Sequence, residues 1–81
     1  MAGLGVGLIG TGYMGRCHAL AWNNVASIFG DVERPRLVTL AEVNADLAAR
    51  KARELGFSQS TGNWRDLLSD TSIDVISVTT P

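Results

Sequence analysis

The sequence predicts an α/β fold in which helices flank a parallel sheet. Apolar segments of strand length alternate along the chain with amphipathic segments of helix length. The first apolar segment breaks into glycines at positions 10, 12 and 15, directly before a helical pattern. The last segment, residues 73–80, is rich in β-branched residues and precedes Pro81. The predicted order is therefore β-α-β-α-(β)-α-β, with right-handed crossovers between parallel strands.

Length and composition exclude several classes of protein. The 81 residues suffice for one small domain or part of a larger one, and 46% apolar with 19% charged residues is typical of a globular chain. A net charge of −1 provides no basic field for nucleic acid or an anionic membrane surface. The single cysteine, Cys17, excludes a disulfide framework and a multi-cysteine metal site. Cysteine usage thus favours a reducing cytoplasm, and we expect no metal site. No signal peptide or membrane span is visible in the sequence.

The first half of the chain predicts a strand, a helix and a loop. Residues 4–9 are mostly apolar without alternation, which is typical of a central parallel strand buried on both faces. Residues 29–35 contain glycine, aspartate and proline and are expected to form a loop. Between them, apolar residues recur at steps of three and four and predict the buried face of a helix: Met14, Cys17, Ala21, Val25 and Ile28.

The second half repeats the pattern. Residues 36–42 predict a second buried strand that ends on Glu42. Asn44 is a candidate N-cap of the next helix, and Gly56 is its candidate C-terminal stop. Residues 56–61 leave room for a short third strand, and Asn63 with Asp66 resembles a capping pair that opens a short helix through residue 68. The apolar stripe of the second helix is expected at Leu47, Ala48, Ala52 and Leu55.

The glycine motif predicts a cradle for a pyrophosphate. The spacing G-x-G-x-x-G is weak alone, but here it leaves a strand, enters a helix and is followed by an acid after the next strand. Gly10 permits a tight turn, Gly12 allows a phosphate to approach the backbone, and Gly15 lets the helix lie close to the sheet. Free N–H groups near Tyr13 and Met14 would face the phosphates. A strand-to-helix turn without a ligand is the alternative.

Glu42 is the expected partner of the adenosine ribose. A carboxylate at the end of the second strand accepts hydrogen bonds from ribose hydroxyls and repels a 2′-phosphate, which favours NAD over NADP. Glu42 lies 27 residues after Gly15, further than the usual spacing of roughly 20, and the loop over residues 29–35 accounts for the excess. A solvated strand-end acid is the alternative.

Other reactive residues are interpreted as structural. His18 lies one turn past the glycine loop, near the phosphates and away from the reacting end of a dinucleotide, so packing or capping is favoured. Cys17 is expected to be a small buried hydrophobe. Arg16 is either a phosphate contact or a solvated side chain. Trp22 and Trp64 are interpreted as packing residues because no basic groove accompanies them.

Three stretches together resemble one known family. "GVGLIGTGYMGRCHALAW" resembles the opening of the Gfo/Idh/MocA oxidoreductases. "LAEVNADLAARKARELG" is similar to that family's second strand and helix, and "NWRDLLSDTSIDVISVTTP" to its third helix and fourth strand. The resemblance covers nearly the whole chain. It implies an N-terminal Rossmann domain over residues 1–81 and a C-terminal substrate domain that is absent from this chain.

The resemblance also implies an activity and a site. Family members transfer hydride between a nicotinamide cofactor and a sugar, cyclitol or related polyol, and we expect a homo-oligomer at full length. The ribose-binding acid matches Glu42. The phosphate loop matches Gly10, Thr11, Gly12, Tyr13, Met14 and Gly15, and the strand end beside the nicotinamide matches Thr79, Thr80 and Pro81.

The family's catalytic groups do not fall within this sequence. The family carries a Glu-Lys-Pro motif shortly after the fourth strand and an Asp…His pair further on, and neither is present by residue 81. We therefore expect no catalytic residue in this chain. Two other hypotheses stay open: a dinucleotide-sensing module without turnover, and a piece that binds nothing because the outer edge of its last strand is unpaired.

Overall fold

The computed structural model describes residues 3–80. Four strands form one parallel sheet in the order β3-β2-β1-β4, and helices flank it. The predicted α/β Rossmann-type fold is confirmed. The elements in chain order are β1 (Gly5–Ile9), α1 (Tyr13–Ile28), β2 (Arg36–Ala41), α2 (Ala45–Leu55), β3 (Gln59–Thr61), α3 (Arg65–Leu68) and β4 (Val75–Val78).

The main core lies between the sheet and helices α1 and α2. Val6 and Leu8 of β1 and Leu40 of β2 are fully buried there. Small residues of the helices meet them, since Ala19 of α1 and Ala48 of α2 have no exposed surface. Small side chains let a helix axis approach the sheet closely, so a thin domain still excludes water.

Strand β1 is buried on both faces, as expected, but its two faces differ. Val6 and Leu8 belong to the main core, whereas Gly5 and Gly7 alternate with them. A Cβ on Gly7 would lie 2.7 Å from Cδ2 of Leu67, a buried residue of α3. Glycine at this position therefore lets α3 lie against the second face of the sheet.

The predicted buried face of α1 is wrong. Met14, Ala21 and Ile28 are exposed, and Cys17 and Val25 are only half-buried. Instead, the first half of the helix turns its smallest residues, Gly15 and Ala19, to the sheet, because the close approach of the backbones at its N-terminus leaves no room for a longer side chain. Further along the helix, Trp22 and Ala26 are half-buried.

Both predicted ends of α2 are confirmed. Oδ1 of Asn44 accepts a hydrogen bond from the Leu47 N–H at 2.8 Å. Gly56 ends the helix with φ +86°, a left-handed conformation in which glycine carries no steric penalty. The predicted stripe also faces inward, since Ala48 and Ala52 are buried and Leu47 and Leu55 half-buried.

Two predicted boundaries need correction. Strand β4 covers Val75–Val78, fewer residues than the predicted 73–80, because the Ile73 N–H donates to the Asp70 carbonyl in a turn. Helix α3 begins at Arg65, and the reciprocal Asn63–Asp66 cap does not form. Oδ1 of Asn63 accepts from the Arg65 N–H, while the Asp66 carboxylate accepts from the Thr61 hydroxyl at 2.5 Å.

Candidate dinucleotide-binding site

The carboxyl ends of three strands lie side by side. The ladder pairs Ile9 of β1 with Ala41 of β2 on one side and with Val78 of β4 on the other. The residue after each strand therefore reaches the same edge of the sheet, which is where ligands bind in parallel α/β folds. The edge brings together the glycine loop, Glu42 and Thr79.

The glycine loop is held to its shape by two close approaches. Gly10 has φ +93°, which a residue with a Cβ rarely adopts, and its N–H donates to the Ala41 carbonyl at 3.1 Å. A Cβ on Gly15 would lie 2.2 Å from the Gly10 carbonyl oxygen. These glycines are therefore needed to fold the turn itself.

Gly12 differs from its neighbours because a Cβ there would meet nothing within 4 Å. The backbone at Gly12 is extended, with φ −71°, so no strain requires glycine either. Packing within residues 3–80 gives no reason for glycine at this position. The space over Gly12 is open to a ligand that approaches the backbone closely.

The N-terminus of α1 presents unpaired donors beside that space. The first hydrogen bond of the helix runs from the Arg16 N–H to the Gly12 carbonyl at 3.0 Å. The N–H groups of Tyr13, Met14 and Gly15 precede it and have no acceptor within the helix. No side chain caps this end, and its first turn has no acid. The arrangement suits an anion.

Glu42 is fixed from two sides at the end of β2. Its Oε2 accepts from the Thr11 N–H at 2.7 Å and from the Thr11 hydroxyl. Its Oε1 accepts from the Val43 N–H at 3.0 Å. Partial burial raises the pKa of Glu42, but these hydrogen bonds and the charge of Lys51 outweigh it, and the pKa lies below its ordinary value. The carboxylate is thus ionised and oriented at neutral pH.

Thr79 and Thr80 have different surroundings at the end of β4. The Thr79 hydroxyl contacts the carbonyl oxygens of Ile9 at 2.8 Å and Gly10 at 3.0 Å, and so ties β4 to the glycine loop. Thr80 is exposed and faces a cavity at the sheet edge. Pro81, the third predicted residue here, lies outside the described residues.

That cavity adjoins the Glu42 carboxylate and has a volume of about 260 Å³. Its walls are mostly apolar and include Val43 and Trp64, neither of which was predicted as a site residue. Trp64 is 43% exposed, and the Arg65 guanidinium lies 4.5 Å from its ring centroid. The one available signal in the sequence was that an apolar residue, Val43, directly follows the strand-end acid. A flat apolar ring fits such a cavity.

Comparison with known proteins places this chain. The model of the oxidoreductase family Gfo/Idh/MocA, described as having an NAD-binding Rossmann fold, matches residues 4–81. The chain belongs to this family. It is 42% identical over 82 residues to levoglucosan dehydrogenase of Pseudarthrobacter phenanthrenivorans, and the match covers 100% of this chain and 21% of that protein.

Two solved structures superimpose closely on this chain. A levoglucosan dehydrogenase in complex with NADH and L-sorbose is 41% identical with a TM-score of 0.95, and the match covers 100% of this chain and 22% of that one. An NAD-binding oxidoreductase from Klebsiella pneumoniae is 40% identical with a TM-score of 0.94 and the same coverage. The chain thus spans about a fifth of the length of these relatives.

The other reactive residues of this Gfo/Idh/MocA chain lie away from the cavity. His18 borders a groove between α1 and β4 together with Trp22, whose Nε1 donates to the Ser77 hydroxyl at 3.0 Å. Trp22 therefore packs, as predicted. Arg16 is exposed, and Cys17 is half-buried where full burial was expected.

Two structural findings bear on metals and membranes. Within residues 3–80, no three histidine, cysteine, aspartate or glutamate side chains are grouped closely enough to hold a metal ion. In the same part of the chain, no helix has the length and apolar composition needed to cross a membrane.

Proposed function

We propose that this chain is the cofactor-binding portion of an NAD-dependent dehydrogenase that acts on a sugar, cyclitol or related polyol. The observation that carries the proposal is the open space over Gly12, a glycine that no packing or backbone strain within the described residues requires. The space is flanked by the unpaired N–H groups of α1 and lies one residue from Thr11, which holds the ionised Glu42.

The described residues suit three parts of a dinucleotide: the pyrophosphate, the adenosine and the nicotinamide. The N–H groups of Tyr13 and Met14 would bind the pyrophosphate. The Glu42 carboxylate would accept from the ribose hydroxyls, and the part of the cavity lined by Val43 and Gly62 would receive the adenine ring. By the family resemblance, Thr79, Thr80 and Pro81 border the nicotinamide side. When bound, this cofactor supplies the hydride chemistry, and the chain's residues bind and orient it.

The charge of Glu42 favours NAD over NADP. A 2′-phosphate would lie against a carboxylate that is already ionised and held by three hydrogen bonds. Like charges at contact distance are strongly disfavoured, whereas two ribose hydroxyls can donate to the same oxygens.

We assign the substrate site, the contacts of the assembly and the catalytic groups to the rest of the protein. The sugar class is supported by the relative that binds L-sorbose with NADH and by the levoglucosan dehydrogenases. Because those relatives are about five times longer than this chain, we infer a separate substrate domain that carries the acid and base groups. A cytoplasmic homo-oligomer without nucleic-acid or membrane partners completes the proposal.

A pair of glycine variants tests the cofactor site. Gly12→Ala in the complete protein should lower NADH affinity at least about tenfold, because the methyl group would occupy the phosphate approach. Gly30→Ala is the matched control, since its Cβ also meets nothing within 4 Å but lies in the loop before β2. Thermal melts should be similar for both. Wild-type NADH affinity in Gly12→Ala contradicts the proposal.

A turnover assay separates the enzyme from a sensor. The complete protein, incubated with NAD⁺ and a panel of sugars and polyols, should produce NADH absorbance with at least one of them. Tight NADH binding without turnover on any member of a broad panel would support a dinucleotide-sensing module instead.

A further inference from the structure

Thr11 makes hydrogen bonds that a residue serving only to separate Gly10 from Gly12 would not need. The residue is buried, with 6% of its surface exposed, at the point where β1 enters the loop. Its N–H and its hydroxyl both donate to the same oxygen of Glu42, 31 residues away in the sequence. This is the one place where a side chain of the loop reaches the strand-end acid among the hydrogen bonds of residues 3–80.

The contacts orient the Glu42 carboxylate but leave some of its acceptor sites free. The two Thr11 donors share Oε2, and the Val43 N–H occupies one site on Oε1. An ionised carboxylate offers about four acceptor sites, so room for a further donor remains. The Glu42 N–H also donates to the Thr61 carbonyl at 3.1 Å, which fixes the backbone below the carboxylate.

We propose that Thr11 is a positioning residue that holds Glu42 in the ribose-binding direction and so sets the preference for a dinucleotide with a free 2′-hydroxyl over one with a 2′-phosphate. The inference rests on the proposed cofactor site and deepens it. Three donors hold the carboxylate when the hydroxyl is present. Without the hydroxyl only the N–H groups of residues 11 and 43 remain, and the carboxylate can turn away from a 2′-phosphate more easily. Selectivity then depends on the hydroxyl of Thr11 as well as on the charge of Glu42.

The charged surroundings of Glu42 make the hydroxyl important. Lys51 of α2 is a cation whose field reaches the carboxylate, and it pairs with Glu54 at 3.3 Å. A carboxylate that lost the bond from the Thr11 hydroxyl would be freer to turn toward Lys51 and away from a phosphate. The hydrogen bond from the Thr11 hydroxyl also lowers the pKa of Glu42, which keeps it ionised in mildly acidic solution.

Thr39 supplies a control for burial and for the loss of a hydroxyl. It has the same 6% exposure as Thr11 and lies within β2. Its hydroxyl donates to Oε1 of Gln59 at 3.0 Å on the neighbouring strand. Thr39→Val therefore removes a buried hydroxyl of equal exposure without touching the proposed site.

The experiment compares NADH and NADPH binding by fluorescence titration in the complete protein. Thr11→Val should weaken NADH about tenfold and narrow the NADH-to-NADPH affinity ratio by about the same factor. It should also raise the pH below which NAD⁺ binding is lost. Thr11→Ser should restore both properties, and Thr39→Val should leave the ratio unchanged while lowering the melting temperature.

The outcomes separate this inference from the proposed function. If the wild-type protein binds neither dinucleotide, the proposed site and the role of Thr11 both fail. If it binds NADH but Thr11→Val keeps the wild-type ratio and pH profile, the positioning role alone is overturned. If Thr11→Val does not fold, Thr11→Cys, which replaces the hydroxyl by a weak donor, gives the same comparison.

A double variant, in which Thr11→Val is combined with Glu42→Gln, completes the experiment. In that background, the Thr11 substitution should change the ratio no further, and an additional change would overturn the role.

Discussion

At the scale of single residues, we propose that cofactor choice depends on the charge of Glu42. Glu42→Gln keeps the shape of the side chain but removes the charge. We expect NADH affinity to fall about tenfold to hundredfold, because a hydrogen bond to an ionised group is stronger than one to a neutral amide. NADPH affinity should fall less or rise. Fluorescence titration measures both.

Glu54→Gln is the control for this variant. It removes a carboxylate of α2 that pairs with Lys51 on the exposed side of the helix. Its NADH and NADPH affinities should stay within about threefold of wild type. Equal losses in the two variants would show that general charge, rather than the position of Glu42, determines affinity.

The lowered pKa of Glu42 predicts a pH dependence with a definite sign. Because the folded pKa lies below the ordinary value of 4.5, the stabilisation from Thr11 and Val43 is complete above that value and is lost as the pH falls through the folded pKa. NAD⁺ affinity should therefore be flat from pH 8 to about pH 5. Calorimetry measures the affinity of the wild type and of Glu42→Gln at each pH. The difference between the two cancels the contribution from protonation of the adenine ring. A Glu42-dependent loss centred above pH 5 would contradict the account.

The sequence predicted the positions of some candidate site residues better than those of others. Gly10, Gly15 and Glu42 follow a spacing that has a physical reason at each position, and the structure places all three at one edge of the sheet. The cavity wall at Trp64 was missed, because α3 reaches that edge through a crossover whose path no local pattern encodes. Likewise, nothing in "TT" indicates that one hydroxyl holds the loop and the other residue faces the cavity.

At the scale of elements, the position of α1 depends on Gly15. Gly15→Ala would place a methyl group 2.2 Å from the Gly10 carbonyl oxygen, which is backbone and cannot move aside cheaply. We expect the free energy of unfolding to fall by at least about 2 kcal/mol. Chemical denaturation measures the loss.

Gly12→Ala is the control, because Gly12 and Gly15 belong to the same loop. A Cβ at Gly12 meets nothing within 4 Å, so the variant should unfold near the wild-type midpoint. The two substitutions thus separate folding from binding. Equal destabilisation by both would mean that the loop geometry described above is wrong.

The N-cap of α2 gives a second prediction at this scale. Asn44→Ala removes the acceptor for the Leu47 N–H and should lower stability by about 1 kcal/mol. Asn24→Ala, on the exposed face of α1, removes only a bond from a side chain to the carbonyl four residues earlier, and should change the melting temperature less. A larger loss for Asn24→Ala would argue against the cap.

The type of each element was predictable where a local sequence pattern determines it. Which side of a helix packs against the sheet was not predictable in the same way. The caps of α2 and the order of strands and helices were confirmed because glycine, asparagine and β-branched residues act locally. The predicted buried face of α1 was wrong because the prediction used apolar residues as its signal, whereas close packing against the sheet requires small residues such as Gly15 and Ala19. Near the glycine loop, size rather than hydrophobicity determined which side of α1 met the sheet.

At the scale of the whole molecule, β4 is an edge strand beside an exposed apolar surface. Within residues 3–80 only β1 pairs with it, and Val78 and Leu68 line a groove of about 590 Å³ next to it. Unpaired apolar edges promote association. The isolated 81-residue chain should therefore associate with increasing concentration in sedimentation experiments. Val78→Lys should reduce this association, whereas Ile28→Lys, at the far end of α1, should not. Equal effects of the two variants would exclude the edge as the contact.

The central claim, that this edge of the sheet binds NAD in preference to NADP, is tested most directly by one paired titration. The wild-type complete protein is titrated with NADH and with NADPH under identical conditions, and nicotinamide fluorescence reports binding. With Glu42 ionised and held by Thr11, NADH should bind at least about tenfold more tightly. NADPH binding as tight as NADH, or no binding of either, would contradict the account.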